Sequence, residues 1–256
     1  MKNKATIRLV IIGDEILSGK RQDRHLAQAV SLLKPRGLKI SEVAILSDEP
    51  KRLTAFLAQS FACQDVVFCF GGIGATPDDR TRQCAAKALG LPLERHPEAV
   101  AEIETQFGEQ AYPQRIRMAE YPKGAAIIPN AYNRVPGFSI QNHHFMPGFP
   151  IMAKPMMAWV LEHYNLEDRQ CIQVEHSLRI MDGHEGDWVA FMEQFERNFP
   201  QLRLFSLPSI HEDGSRSFEL GMEGEASVVL KGWNVLMQEV KNRGCAWQEE
   251  GELNLL

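Results

Sequence analysis

The stretch Asp65–Thr81, DVVFCFGGIGATPDDRT, carries the clearest indication of the fold. Its first part, Asp65–Phe70, is almost entirely apolar and predicts a strand that is covered on both faces of a sheet. Three glycines follow, and Pro77–Leu89 is predicted to be a helix with Thr76 as its N-cap. A buried strand, a glycine-rich turn and a helix in that order are typical of a βα unit, so the sequence predicts a parallel sheet.

The same alternation of strands and helices extends over the preceding and following segments. We predict further strands at Ala5–Ile12, Leu38–Leu46, Ala125–Ile128, Phe138–Ile140 and His143–Met146. We predict further helices at Asp23–Lys34, Pro50–Phe61, His96–Met118 and Ile151–Tyr164. Right-handed crossovers between parallel strands place helices on both faces of the sheet. The predicted fold class is therefore α/β, a three-layer α/β/α arrangement around a mostly parallel sheet.

A different pattern begins after residue 168. Here we predict strands at Cys171–Ile180, Leu202–Leu207 and Ser217–Met222, and helices at Glu185–Asn198 and Glu225–Asn242. The order β-α-β-β-α suits a small α+β domain. We therefore expect a first domain over residues 1–168 and a small C-terminal α+β domain over residues 169–256.

Composition and charge exclude several classes of partner. The formal net charge is −5, whereas binding to nucleic acid or to an anionic membrane needs a basic face. The apolar run Ile7–Ile12 is too short for a signal peptide or a membrane span, so we expect a cytoplasmic protein. The five cysteines are odd in number and form no Cys-x-x-Cys pair, which argues against a disulfide framework and a zinc site.

The glycine loop is the strongest candidate for a phosphate site. Gly71, Gly72 and Gly74 let the backbone approach a ligand closely and adopt positive φ. The loop follows the carboxyl end of a parallel strand and precedes a helix N-terminus, and both features favour anion binding. It is not a Walker A loop, because no Gly-Lys-Ser/Thr follows. The alternative is a tight turn without a ligand.

Two adjacent carboxylates, Asp78 and Asp79, end this loop. They would repel a bound phosphate unless a cation bridged them, and Mg²⁺ is commonly held by one or two carboxylates together with substrate phosphates. The residues therefore predict a divalent metal ion at Asp78 and Asp79. The alternative is that both only interact with the helix dipole.

Two further loops are expected to border the same site. Gly13–Gly19 follows the first strand and carries Asp14 and Glu15, which are costly to bury unless paired, metal-bound or solvated. Either could hold the metal or act as general base, and a solvated polar turn is the alternative. Asn130 and Pro147–Pro150 are predicted to shape a pocket wall, although alone they indicate only turns.

The histidines are predicted to have structural places. His143 and His144 are expected in or beside a β turn. His184 with Glu185 and Asp187 could indicate a metal site, but a loop and the start of a helix explain this group better.

These loops together resemble the molybdopterin-binding domain family, most closely the N-terminal domain of competence/damage-inducible protein A (CinA) and its stand-alone relatives. The resemblance covers about residues 5–165 and rests on GDEILSG at Gly13–Gly19, GGIGATPDDRT at Gly71–Thr81 and PGFP at Pro147–Pro150. Two residues depart from the family pattern, since Ala75 stands in place of proline and His25 in place of asparagine.

The resemblance implies the following roles. Phosphate or nucleotide would be bound by Gly13, Ser18, Gly19, Gly71, Gly72, Gly74, Thr76, Thr81, Pro147 and Gly148. The metal ligands would be Asp78 and Asp79, and the catalytic residues Asp14, Glu15 and Asp79.

The first functional hypothesis is a metal-dependent pyrophosphohydrolase of the ADP-ribose class, using Mg²⁺, Mn²⁺ or Co²⁺. The second is a molybdopterin-binding protein of molybdenum cofactor biosynthesis, and the third a non-catalytic nucleotide sensor or scaffold. By family analogy we expect a homo-oligomer. The sequence ends at Leu256, before the amidohydrolase domain of full-length CinA proteins, so we expect no deamidation of nicotinamide mononucleotide.

Overall fold

The computed structural model describes residues 6–166, 173–250 and 254–255. The chain divides into two compact units near residue 167. Among the helices of the described ranges, none combines the length and the apolar character that crossing a membrane requires.

The first unit contains eight strands and six α-helices among its described residues. The strands are β1 (Ile7–Ile12), β2 (Ile40–Leu46), β3 (Val66–Phe70), β4 (Leu93–Arg95), β5 (Glu120–Pro122), β6 (Ala126–Ile128), β7 (Gly137–Ile140) and β8 (His143–Met146). The helices are α1 (Asp14–Leu17), α2 (His25–Leu33), α3 (Pro50–Phe61), α4 (Thr81–Leu89), α5 (Pro97–Phe107) and α6 (Pro150–His163).

Six of these strands form one sheet in the order β2-β1-β3-β8-β7-β6. The pairings among β2, β1, β3 and β8 are parallel, and β7 and β6 are added antiparallel. β4 and β5 form a separate antiparallel pair. The predicted mostly parallel sheet is therefore confirmed.

Alternate residues of β1 pack into different cores. Val10 lies in one core with Leu57 of α3, whereas Leu9 lies in another with Ala29 of α2 and Val160 of α6. Successive side chains of a strand point to opposite faces, so helices cover both sides of the sheet. Each fully buried aliphatic side chain stabilises the fold by about 1.5–3 kcal/mol. The three-layer arrangement is confirmed.

Helix α4 begins at Thr81 and not at Pro77, so the predicted N-cap at Thr76 is wrong. The cause is a local turn. A carboxylate oxygen of Asp79 accepts hydrogen bonds from the Thr76 N–H (3.0 Å) and hydroxyl, and the Asp79 N–H donates to the Thr76 carbonyl (3.0 Å). These bonds close Thr76–Asp79 into a turn, so the helix begins only at Thr81.

The helix predicted at His96–Met118 is also shorter than expected. Helix α5 ends at Phe107, where Gly108 adopts a positive φ of 54°. Two 3-10 turns follow, at Gly108–Ala111 and Arg115–Ala119. Residues with a side chain rarely adopt this positive φ, so glycine allows the chain to leave the helix here.

His143 and His144 lie in β8, directly after the turn that joins it to β7. Both side chains are buried. His143 Nε2 is 2.7 Å from the Ser60 hydroxyl and His144 Nδ1 is 2.8 Å from that of Ser139. Burial lowers the pKa of His144 to about 4, and burial together with the nearby His144 and Arg8 charges lowers that of His143 to about 3. Both are neutral core residues.

The second unit is an α+β fold. Its elements are β9 (Gln173–Met181), α7 (Val189–Asn198), β10 (Arg203–Ile210), β11 (Arg216–Glu225), α8 (Ala226–Arg243), β12 (Trp247–Glu249) and β13 (Asn254–Leu255). The antiparallel sheet has the order β10-β11-β9-β12, and β13 also pairs with β9. The predicted β-α-β-β-α order is present, whereas β12 and β13 are not predicted from the sequence.

Smaller differences concern the start of this unit. The predicted helix Glu185–Asn198 opens with a 3-10 turn at Glu185–Trp188. The first residues of the predicted strand Cys171–Ile180 lie outside the described residues. Cys171 is among these residues. The other four cysteines, Cys63, Cys69, Cys84 and Cys245, are free thiols.

Candidate functional site

A cleft of about 440 Å³ lies at the carboxyl ends of the parallel strands. The loops after β1, β2, β3 and β8 line it, because these strands are neighbours in the sheet and end at the same edge. We call it the acidic cleft. Four carboxylates line it, Glu15, Asp48, Asp78 and Asp79, against one basic side chain among the described residues, Arg21.

The glycine loop forms one wall of the acidic cleft. Gly71 has a φ of 108°, and a Cβ at this position would lie 2.1 Å from the Ile12 carbonyl oxygen. The Gly71 N–H donates to the Met146 carbonyl (2.9 Å), which fixes the loop to β8. Only glycine permits this close passage between two strand ends.

Four consecutive backbone N–H groups of this loop, Gly72–Ala75, have no hydrogen-bond partner among the described residues. All four residues line the acidic cleft. Unpaired N–H groups in succession form a concavity that binds anions. The loop therefore presents to the acidic cleft the donors through which a phosphate could bind.

Two side chains behind the loop hold its shape. The hydroxyl of Thr81 donates to the Gly71 carbonyl (3.0 Å), and the Thr81 N–H donates to the Gly72 carbonyl (3.0 Å). The buried Arg82 guanidinium donates to the carbonyls of Gly74 (2.6 Å) and Arg117. Thr81 is fully buried. It positions the loop and does not face the cleft.

Asp79 also holds the shape of the loop, through its hydrogen bonds with Thr76. One of its carboxylate oxygens is engaged by Thr76, which leaves the other for a ligand. The neighbouring Asp78 is exposed, and hydrogen bonds from Thr76 and from its own backbone lower its pKa. Both carboxylates line the acidic cleft together with the unpaired N–H groups of Gly72–Ala75.

Asp48, directly after β2, is a site residue that the sequence reasoning missed. It lines the acidic cleft, and its Oδ2 accepts a hydrogen bond from the Asp14 N–H (3.0 Å). Burial raises its pKa, and the nearby charges of Asp14, Glu15 and Asp78 raise it further, against the lowering effect of that hydrogen bond. Its position after a third parallel strand is the signal that could have identified it.

The other predicted residues separate into two groups. Gly13, Pro147 and Gly148 line the acidic cleft. Asp14, Ser18 and Gly19 are exposed and are not among its lining residues. Asp14 therefore reaches the site through its backbone N–H, which binds Asp48.

The turn at Asn130 forms part of the far wall. The Asn130 side-chain amide donates to the Asn133 side chain (2.8 Å) and to the Val135 carbonyl (3.0 Å), and its oxygen accepts from the Tyr132 N–H (3.0 Å). Asn130, Asn133 and Val135 all line the acidic cleft. Asn130 thus shapes the wall by holding its own turn.

In the described ranges, no three side chains of His, Cys, Asp or Glu are grouped so that they could hold a metal ion. A cation in the acidic cleft would therefore be held by one or two carboxylates together with the phosphates of a ligand.

The residues around His184, considered above as a metal site, form a 3-10 turn in which the Asp187 N–H donates to the His184 carbonyl (3.0 Å).

The chain matches the family described as "Probable molybdopterin binding domain" over residues 8–166. It is 32% identical over 165 residues to a CinA-like protein from Anaeromyxobacter dehalogenans, a match that covers 61% of this chain and 40% of the relative. It is 31% identical over 156 residues to a putative competence-damage inducible protein from Symbiobacterium thermophilum, with 58% of this chain and 37% of the relative covered.

A crystal structure of the protein CinA from Thermoplasma acidophilum superposes with a TM-score of 0.57 at 25% identity, over 64% of this chain and 99% of that one. The family match, over residues 8–166, covers most of the first unit with its sheet and its acidic cleft. This chain spans about two fifths of the length of the first CinA-like relative. The chain belongs to the probable molybdopterin-binding domain family.

Proposed function

We propose that this chain is a metal-dependent pyrophosphohydrolase that acts on ADP-ribose or a similar dinucleotide. One observation carries the proposal. The carboxylates of Glu15, Asp48 and Asp78 come from three different loops and border the same cleft as the unpaired N–H groups of Gly72–Ala75. Donors for a phosphate and ligands for a cation are thus adjacent.

A divalent cation fits this set of residues. The charges of Asp14, Glu15 and Asp78 raise the pKa of Asp48 in addition to its burial, so the carboxylates repel one another. A cation relieves that repulsion. Asp78 and the free oxygen of Asp79 would hold the cation together with the phosphates of the substrate.

The chain's own groups account for binding and proton transfer. The N–H groups of Gly72–Ala75 would bind one phosphate of the substrate, and Arg21 at the rim would contact another. Asp48 would accept the proton of the attacking water, since its raised pKa makes it a stronger base than an ordinary carboxylate. The metal, when bound, supplies charge neutralisation and lowers the pKa of water.

The reaction breaks one bond of the pyrophosphate. The water oxygen bonds to one phosphorus, and the bond from that phosphorus to the bridging oxygen breaks. The second phosphate leaves with the bridging oxygen. With ADP-ribose the products are AMP and ribose 5-phosphate.

Product analysis tests the proposal. We expect AMP and ribose 5-phosphate to form from ADP-ribose with Mg²⁺, Mn²⁺ or Co²⁺ and not with EDTA. Asp78→Asn should slow the reaction by about tenfold or more, because it removes a cation ligand. Glu98→Gln, which changes an exposed carboxylate on α5, is the matched control and should leave the rate unchanged. Absence of AMP with all three metals would exclude the hydrolase.

The family match favours a second candidate, a molybdopterin-binding protein that does not turn over its ligand. The phosphate of the pterin would occupy the same unpaired N–H groups. A rise in melting temperature with molybdopterin, together with no AMP from ADP-ribose, would favour this function over the first.

A further inference from the structure

A second pocket, of about 670 Å³, adjoins the acidic cleft in the first unit. Three basic side chains line it, Arg21, Arg24 and Lys154, against one carboxylate, Glu15, and His25 completes its polar wall. We call it the basic pocket. Its volume lies within the range of small-molecule sites.

The basic side chains of this pocket are available to a ligand. Within the part of the chain that the structure describes, no hydrogen bond or ion pair engages the side chains of Arg21, Arg24 or Lys154. The chain as a whole carries a net charge of −5. A local excess of positive charge on an acidic protein concentrates anions at that place.

His25 adds an observation that is independent of these cations. Its side chain is 5% exposed and stacks on Phe70 with 4.7 Å between ring centroids. Nδ1 lies 2.8 Å from Asp23 Oδ1, but the buried Nε2 has no hydrogen-bond partner. A buried polar atom without a partner is unfavourable unless a ligand satisfies it.

The hydrogen bond to Asp23 determines which nitrogen of the neutral His25 ring carries the hydrogen. Burial alone would raise the pKa of Asp23, but hydrogen bonds from the His25 and Leu26 N–H groups and from the His25 ring lower it overall. An ionised Asp23 accepts the Nδ1 proton, so Nε2 of the neutral ring is an acceptor. It can take the hydrogen of a monoprotonated phosphate, and the protonated ring can donate to a phosphate oxygen.

The remaining wall provides an anion-binding helix end and an apolar surface. Pro150 and Ile151 form the first turn of α6, whose N-terminus carries partial positive charge. Phe149 is 55% and Ile151 63% exposed, although both side chains are apolar. They offer a contact surface to the uncharged body of a ligand.

We propose that the basic pocket binds the phosphate group of a phosphorylated small molecule without a divalent metal ion. Arg21, Arg24 and Lys154 hold the phosphate oxygens, and His25 Nε2 completes the site. This inference goes beyond the proposed hydrolase and does not depend on it, because the anion is held by cations of the chain and not through metal-bound carboxylates.

Calorimetric titration with inorganic phosphate, in EDTA and at low ionic strength, tests the site. Arg24→Gln and Lys154→Gln should each weaken binding by about tenfold, because each removes one charge-assisted contact. Both positions are exposed, so the variants keep their fold, which an unchanged melting temperature verifies. The matched control is Lys87→Gln, an exposed cation outside this pocket, and it should leave the affinity unchanged.

NMR of the ¹⁵N-labelled histidine rings gives a second readout. Phosphate should shift the Nε2 signal of His25 and leave those of the core residues His143 and His144 in place. An unchanged affinity in the Arg24→Gln/Lys154→Gln double variant would overturn the proposal. Phosphate binding that needs Mn²⁺ and disappears in Asp78→Asn would also overturn it, because the anion would then lie in the acidic cleft.

Discussion

The acidic cleft and the basic pocket are neighbours built in different ways. They share Glu15, Arg21, Gly148 and Phe149. The cleft offers backbone N–H groups of a glycine loop, surrounded by carboxylates. The pocket instead offers exposed basic side chains around one buried imidazole.

The two sites differ in what they need to bind a phosphate. A phosphate in the acidic cleft meets several carboxylates, so its binding requires a cation. A phosphate in the basic pocket meets opposite charge directly, but salt screens exposed pairs beyond a Debye length of about 10 Å at 0.1 M. Phosphate binding in the acidic cleft should thus depend on a metal ion, whereas phosphate binding in the basic pocket should weaken as the salt concentration rises.

The largest expected effect is that of Gly71→Ala. The new Cβ would lie 2.1 Å from the Ile12 carbonyl oxygen at a positive φ, so the loop must move. We expect the free energy of unfolding of the first unit to fall by about 4 kcal/mol, measured by urea denaturation. Hydrolysis should be lost, whereas phosphate binding in EDTA should persist below the melting temperature.

Gly124→Ala is the matched control for this substitution. Gly124 also has a positive φ, of 85°, but a Cβ there would meet no atom within 4 Å. It should cost only about 1 kcal/mol of backbone strain and leave hydrolysis intact. Equal effects of the two variants would contradict the close-packed loop.

Acid should disable both sites together, because β8 leads into both. His144 is neutral in the folded protein, with a pKa of about 4, but takes up a proton in the unfolded chain below about pH 6.5. The unfolded state binds more protons within this window, so stability present above pH 6.5 is lost as the pH falls toward 4. The loss from His144 alone should be about 3 kcal/mol.

Urea midpoints at pH 7 and pH 4.5 measure this loss. His144→Gln can keep a hydrogen bond to Ser139 and should flatten the pH dependence. His211→Gln, an exposed position in the second unit, should leave it unchanged. Full pH dependence in His144→Gln would show that the buried neutral imidazole of His144 is not its cause.

Asp48→Asn should lower the hydrolase activity and raise the stability of the metal-free protein. We expect hydrolysis to fall about a hundredfold, because the general base is removed. The pKa of Asp48 is raised in the folded protein, so folding favours the protonated carboxyl. At pH 7, above the folded-state pKa, the ionised carboxylate therefore lowers the stability of the fold. The metal-free variant should therefore melt about 1–3 °C higher than the wild type, in differential scanning calorimetry. A lower melting temperature would show that Asp48 is structural.

Arg21→Gln should have the smallest effect, and it should act at both sites. Arg21 is exposed and lines both the cleft and the pocket. We expect phosphate binding in EDTA and ADP-ribose affinity with Mn²⁺ each to weaken by about threefold. An effect on one titration only would show that Arg21 serves a single site.

The fold and the glycine loop could be predicted from the sequence because their signals are local. The buried run Val66–Phe70 and the glycines after it determine a strand and a close turn within a few residues. The start of α4 could not be predicted, because Asp79 folds back on Thr76 and competes with the helix.

Asp48 and the basic pocket depend on contacts between distant segments. Asp48 reaches the site only because β2 is the parallel neighbour of β1. The basic pocket combines Arg24 of the segment before α2 with Lys154 of α6. No periodicity in the sequence indicates that these segments meet.

The affinity of a non-hydrolysable ADP-ribose analogue, with a methylene group in place of the bridging oxygen, shows whether the acidic cleft binds phosphate through a cation. It should be measured in the Arg24→Gln/Lys154→Gln variant, where only the acidic cleft remains intact. We predict binding at least about tenfold tighter with Mn²⁺ than with EDTA. Equal affinity in the two conditions would contradict a cleft that holds phosphate through a cation.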